Sequence, residues 1–179
     1  MQKLNELRVL VAVREGENGL YKINKKIERT LHNRYPKLIK PDNGFYINRP
    51  IIVTKNNYEL GLFNGDIGIV RLNPDTKRPA VWFEDATQPG TVRQVNPAFL
   101  SECETVFAMT IHKSQGSEFE QVMVVLPDQQ DSPLLSRELL YTGVTRAKKN
   151  VCVCGSLETL ESGISKQVQR ISGLQSRLK

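Results

Sequence analysis

No stretch of this 179-residue sequence reads G-x-x-x-x-G-K-[ST]. The backbone nest, the lysine and the magnesium-bearing hydroxyl that cradle a nucleoside triphosphate are therefore missing from it. Long apolar runs are missing too. None approaches the roughly 20 residues that a membrane helix needs, and the opening MQKLNELRVL has no signal-peptide pattern. The expected location is the cytoplasm, with no membrane partner. Cysteine is scarce: Cys103, Cys152 and Cys154 cannot all pair with one another. With His32 and His112 as the only histidines, a zinc-ligand set has little support and no metal site is expected. Cys152 and Cys154 stand two apart in a strand-like run and so share a face, and buried free thiols are the expected state. No internal repeat or low-complexity segment is present.

What is there describes a soluble globular chain. Hydrophobic residues make up 39% and charged residues 25%, enough apolar content for a core and too little net charge for disorder. The length suits one domain, or one domain carrying a small insertion. The formal charge of +6 is compatible with a polyanionic partner and is equally compatible with plain solubility.

Leu7 to Val13 is a nearly continuous apolar run that predicts a strand, with Arg14 at its carboxyl end. Leu20, Ile23, Ile27 and Leu31 then recur at three- and four-residue spacing, which predicts an amphipathic helix with Lys25, Lys26, Glu28 and Arg29 on its wet side. A strand, a glycine-bearing turn and a helix open an α/β unit. Tyr35 to Asn48, with Pro36, Pro41 and Gly44, reads as a linker. Beyond it the texture changes. Arg49–Thr54, Asp66–Leu72, Ala80–Glu84 and Thr91–Val95 are short strand-like runs between turn-rich segments, and four such strands suggest a small barrel or curled sheet inserted into the α/β unit, which resumes at Glu104.

Phe107 to Phe119, FAMTIHKSQGSEF, is the densest chemistry in the chain. An apolar strand-length run ends in His112, Lys113, Ser114 and Gln115, then Gly116 and the acidic Glu118. Open α/β sheets place ligands at such strand ends, although an ordinary surface turn has the same composition. Gln121–Leu126 predicts another buried strand. Leu134 to Gly155, LLSRELLYTGVTRAKKNVCVCG, predicts a helix capped by Ser136, with Lys148 and Lys149 at its negative end, followed by a buried strand at Val151–Cys154. Leu157, Leu160, Ile164, Val168, Ile171 and Leu178 predict a partly helical tail docked on its own domain, with Lys166, Arg170, Arg177 and Lys179 on a solvated face.

Thr110 to Phe119 (TxHxxQGxEF) and Leu139 to Ala147 (LxYTxVTRA) resemble motifs V and VI of superfamily 1 helicases, in the right order and separation. The VREG stretch at Val13–Gly16 with Gly19 and Asn24, and LFNGDIG at Leu62–Gly68, resemble the RecD-like branch, to which the alpha subunit of bacterial exodeoxyribonuclease V belongs. The resemblance covers nearly all of the chain. It implies a RecA-like parallel-sheet motor domain, residues 1–48 and 104–179, with an inserted small Src-homology-3-like β-barrel at 49–103. It also implies that a first motor domain carrying the P-loop precedes Met1 and holds most of the ATP and magnesium.

By that resemblance Arg146 is the arginine finger, and Gly116, Glu118 and Arg14 approach the nucleotide. Thr110, His112 and Lys113 lie nearer single-stranded DNA. The implied partners are that strand, the first motor domain, and RecB- and RecC-type subunits, in DNA break repair and recombination. Each residue has a plainer reading beside this one: a helix-end salt bridge for Arg146, a solvated strand-end cation for Arg14, and a locally satisfied ring for His112. A nucleic-acid-binding or subunit-interaction module with no ATP cycle is the alternative function.

Overall fold

The computed structural model describes residues 6–41, 44–85, 88, 90–129 and 132–168. Among them lie two sheets. Strands β1 (Leu7–Val11), β7 (Ala108–Thr110), β8 (Phe119–Val125) and β9 (Ala147–Cys154) form a parallel sheet in the order β7-β1-β8-β9. Strands β2 (Pro50–Val53), β3 (Ile67–Leu72), β4 (Pro79–Glu84), β5 (Val92–Val95) and β6 (Cys103–Thr105) form an antiparallel sheet in the order β5-β4-β3-β2-β6. Three helices complete the set: α1 (Leu20–Arg34), α2 (Arg137–Val144) and α3 (Leu157–Ser165).

The parallel sheet is covered on both faces, which is why its central strands read as unbroken apolar runs. Alternation sends Val9 and Val11 of β1 to one face, where Leu20, Ile23 and Ile27 of α1 pack on them with Ala108 and Val125. Leu10, Met109, Val122 and Val124 point to the other face, beneath Leu135, Leu139 and Leu140. Asn24 is buried in α1 and sews it to the sheet. Its amide donates to the Ala108 carbonyl at 3.1 Å and its Oδ1 accepts from the Ala108 N–H at 2.9 Å, so the outer edge of β7 is satisfied by a side chain where another strand would otherwise be needed.

The turn before α1 is fixed by its glycines. Gly16 has φ +96°, and a Cβ on Gly19 would sit 2.4 Å from the Glu15 carbonyl oxygen. In the antiparallel sheet Gly65 has φ +106° at a turn, while a Cβ on Gly68 would lie 2.7 Å from Phe83 and from Val81. LFNGDIG is thus a turn glycine followed by a packing glycine. Ile51, Val53, Leu62, Val70, Val81, Phe83, Val95 and Leu100 form the core of this second unit.

Five expectations change. The antiparallel sheet has a fifth strand, β6, so Glu104 and Thr105 pair with β2 where the α/β unit was expected to resume. Helix α2 ends at Val144, and Lys148 and Lys149 lie on β9, paired with Glu118 at 3.5 Å and Glu120 at 2.6 Å. A stretch so rich in charge looks like a helix end, yet its strand pairing with β8 decides it. Strand β9 is not buried: it lies at the sheet edge, with Val151 and Val153 46% and 37% exposed. The thiols follow, since Cys152 is exposed, Cys103 and Cys154 are half-buried, and all three are free. Cys152 and Cys154 do share a face, their sulfurs 3.8 Å apart.

The tail stripe docks only in part. Leu160 packs on the core and a Cβ on Gly163 would meet Leu135 at 2.8 Å, but Leu157 and Ile164 face solvent. The expectations for Arg170, Ile171, Arg177, Leu178 and Lys179 lie outside the described residues. Among the described residues no helix is long and apolar enough to cross a membrane.

Candidate functional site

One segment, residues 111–118, joins the two ends of the parallel sheet. It leaves the carboxyl end of β7 beside the carboxyl end of β1, where the Ile111 N–H donates to the Val11 carbonyl at 3.0 Å, and it arrives at the amino end of β8. Its path is held from inside. Ile111 is fully buried, and Gly143 of α2 comes so close that a Cβ there would be 3.2 Å from the Ile111 Cδ1. Ser114 is fully buried and donates to the Ile111 carbonyl at 2.7 Å. Gly116 has φ +83° with open space around its missing Cβ, so the backbone conformation and not crowding selects glycine.

At the carboxyl end of β7 stand Thr110, His112 and Lys113. Thr110 is buried, and its hydroxyl accepts from the Lys113 N–H at 3.2 Å, so it shapes a short 3-10 turn over His112–Ser114. His112 is exposed and Lys113 half-buried. The turn thus presents an imidazole and an ammonium on a rigid support.

At the opposite end, Arg146 meets the segment at Ser117, between Gly116 and Glu118. Arg146 follows α2 after a single cap residue, Thr145. Its Nε donates to the Thr142 carbonyl at 3.1 Å and its Nη1 to the Ser117 carbonyl at 3.2 Å, while its own carbonyl accepts from the Phe119 N–H at 2.9 Å. Two carbonyls orient the guanidinium, and among the described residues no carboxylate pairs with it. A half-buried, fixed, uncompensated cation suits an anionic ligand arriving from outside. Glu118 is exposed and reaches Lys148 at 3.5 Å.

Arg14 does not join that group. It follows the carboxyl end of β1, whereas Arg146 precedes the amino end of the parallel strand β9. Its guanidinium donates to both Glu104 oxygens, at 3.0 and 3.2 Å, and to the Tyr21 hydroxyl at 2.7 Å, and lies 5.2 Å from the Tyr21 ring centre. These contacts hold its pKa above the ordinary arginine value, the Tyr21 hydrogen bond first among the causes. The residue ties the first strand's loop to β6.

Arg8 was not anticipated. It is 1% exposed, donates to the Val106 carbonyl at 3.2 Å, and lies 5.1 Å from the centre of the Phe119 ring. Burial pushes its pKa down to about 10. It braces the residue whose N–H holds the Arg146 carbonyl. An arginine inside an otherwise apolar run, LRVLV, was the available signal. Among the described residues no three His, Cys, Asp or Glu side chains gather into a metal-holding group.

Residues 105–154 match the family described as the UvrD-like helicase C-terminal domain. Residues 23–83 match the ATP-dependent RecD-like DNA helicase SH3 domain. The chain belongs to the RecD-like helicase family. It is 41% identical over 175 residues to the RecBCD enzyme subunit RecD of Mycobacterium tuberculosis, covering 98% of this chain and 29% of that protein. To the RecD subunit of Haemophilus influenzae it is 38% identical, covering 96% of this chain and 25% of the relative. To the ATP-dependent RecD2 DNA helicase of Deinococcus radiodurans it is 29% identical, covering 90% and 22%.

The chain therefore spans less than a third of the length of these relatives. A Pif1 helicase from Candida albicans has the same fold over 86% of this RecD-like chain and 46% of its own, with a TM-score of 0.54 at 16% identity. The parallel sheet is thus RecA-like in fold, and the antiparallel unit is the SH3-like barrel of the family.

Proposed function

We propose that this chain is the second motor domain of an ATP-driven DNA helicase of the RecD type, comprising residues 1–48 and 106–179, with residues 49–105 inserted as the barrel and β6 as its last strand. The observation that carries the reading is the Arg146 guanidinium, held by the Thr142 and Ser117 carbonyls with no carboxylate partner among the described residues, beside Gly116 and Glu118. Such a cation can stabilise charge that develops on a γ-phosphoryl group held by a facing domain. The planar fork fixes direction as well as charge, and it stays protonated throughout.

ATP with its magnesium would supply the phosphoryl group, and both are expected to sit mainly on that facing domain. Backbone at Gly116 and the Glu118 carboxylate would meet the nucleotide, the carboxylate accepting from a ribose hydroxyl. At the other end of the 111–118 segment, His112 and Lys113 would donate to the phosphates of a single strand, with Thr110 shaping the turn that presents them. Because one short, internally braced segment carries both contacts, a shift at the nucleotide end moves the strand end. This is the physical basis for coupling ATP turnover to translocation in break repair and recombination, in company with RecB- and RecC-type subunits in the cytoplasm.

The chain alone should not turn over ATP, because the phosphate-cradling loop is not in its sequence. Steady-state phosphate release with single-stranded DNA present is the check. Turnover that co-purifies with the chain through several columns contradicts the split site.

A further inference from the structure

A cleft of about 640 Å³ lies outside the site described above, between α1 and the foot of the barrel. Tyr21, Lys25 and Arg29 of α1 line one wall at intervals of four residues, and Arg49, Glu104 and Thr105 contribute from the barrel side. Positions i, i+4 and i+8 share a helix face, and successive members are separated by about 6 Å along the axis. The acidic side chains of the cleft are already engaged by the chain itself. Glu28 accepts from the Tyr46 hydroxyl at 2.6 Å, and Glu104 is held by Arg14. Two of the cations are in a different state: among the described residues Lys25 and Arg29 have no carboxylate partner, whereas Arg49 donates to the Thr105 hydroxyl at 3.0 Å and the Gly44 carbonyl at 2.9 Å. Their neighbours Lys22 and Lys26 on the same helix are both paired with Glu17.

We propose that this cleft is a second binding path for the backbone of single-stranded nucleic acid, with Lys25 and Arg29 contacting successive phosphates. Charge complementarity selects the occupant: Glu104 is neutralised by Arg14, and Lys25, Arg29 and Arg49 outnumber the one remaining carboxylate, Glu28, which suits a polyanion better than an amine or a basic peptide. The row shares β7 with the His112–Lys113 turn, since α1 is bonded to β7 through Asn24 and that turn ends the same strand. The inference rests on the proposed single-strand reading and extends it from one contact point to a track.

The test is fluorescence anisotropy of a labelled oligothymidylate with the 179-residue chain across a salt series, for the wild type, Lys25→Gln/Arg29→Gln, Lys113→Gln, and a control of equal charge change on the barrel, Lys55→Gln/Lys77→Gln. Thermal melting confirms that each variant folds. Each phosphate contact on a single strand contributes about 0.7 to the slope of log K against log salt. Lys25→Gln/Arg29→Gln should lower that slope by about 1.4, and the barrel control should leave it unchanged. A slope lowered by Lys113→Gln but not by Lys25→Gln/Arg29→Gln overturns the cleft while sparing the single-strand reading. Absence of binding in the wild type overturns both. Thymidine monophosphate competing as well as the oligonucleotide, at equal phosphate, overturns the strand as occupant in favour of a small phosphorylated ligand.

Discussion

The two sheets of this chain are held to different standards. Residues 49–105 carry six lysines and arginines against seven aspartates and glutamates, whereas the remainder carries nineteen against twelve. All of the positive excess belongs to the parallel-sheet unit, and so do Thr110, His112, Lys113, Gly116, Glu118 and Arg146. In the barrel the glycines explain themselves by turns and packing, as at Gly65 and Gly68. On the proposed reading, the barrel is built first to fold and the parallel unit to bind. A polyanion attracted to this molecule is attracted to the α/β unit.

Substitutions that separate folding from binding sharpen the contrast. Phe83 is 2% exposed at the centre of the barrel core. Phe83→Ala should cost about 3–5 kcal/mol, read by denaturant unfolding, with the barrel losing protection from hydrogen exchange before the parallel sheet does. Simultaneous loss in both sheets would show that they share one cooperative core. Asn24→Ala should cost less, about 1–3 kcal/mol, because it strands the Ala108 N–H and carbonyl without partners. A melting temperature equal to that of the wild type would mean that water replaces the amide and that α1 is not held by it. The smallest effect belongs to the exposed edge: Cys152→Ser should stay within about 0.5 kcal/mol of the parent. Cys152 should also be the first thiol labelled by an alkylating reagent, because burial raises the pKa of Cys103 and, together with the Cys152 neighbour, that of Cys154. Labelling that begins at Cys103 would contradict the exposed strand.

How much of this could be read beforehand depends on range. Periodicity in Leu20–Leu31 and short strand-like runs between turns in the barrel are local, and they place α1 and four of the five barrel strands correctly. Ser136 is recognisable as a cap from sequence and does accept from the Leu139 N–H at 3.2 Å. Where a residue's state depends on its distant neighbours, sequence is silent. Val151–Cys154 has the composition of a central strand, but its position at the sheet edge is set by topology, so its exposure was hidden. Cys103–Thr105 is too short and too polar to announce itself, and pairs only because β2 lies beside it.

The site behaves likewise. The crossing of 111–118 from one sheet end to the other is what brings Ser117, next to Gly116, to Arg146 and separates Arg14 from both. The motif spacing holds the residue types but not that geometry. Asn24 shows the reverse: it stands in the VREG stretch as a motif residue, and its role is to hold a helix on a strand edge.

The most direct test of the motor reading is Arg146→Ala in the chain joined to the P-loop domain that the proposal requires, measured as DNA-stimulated ATP turnover beside nucleotide affinity and melting temperature. If the guanidinium acts on charge that develops only during phosphoryl transfer, kcat should fall on the order of 10³-fold while nucleotide affinity changes little. Arg146→Lys should restore little of it, because an ammonium cannot reproduce two fixed donors to Thr142 and Ser117 and still present a planar face to the phosphate. A stable Arg146→Ala protein that turns over ATP at nearly the normal rate would contradict the account and leave a binding module in its place.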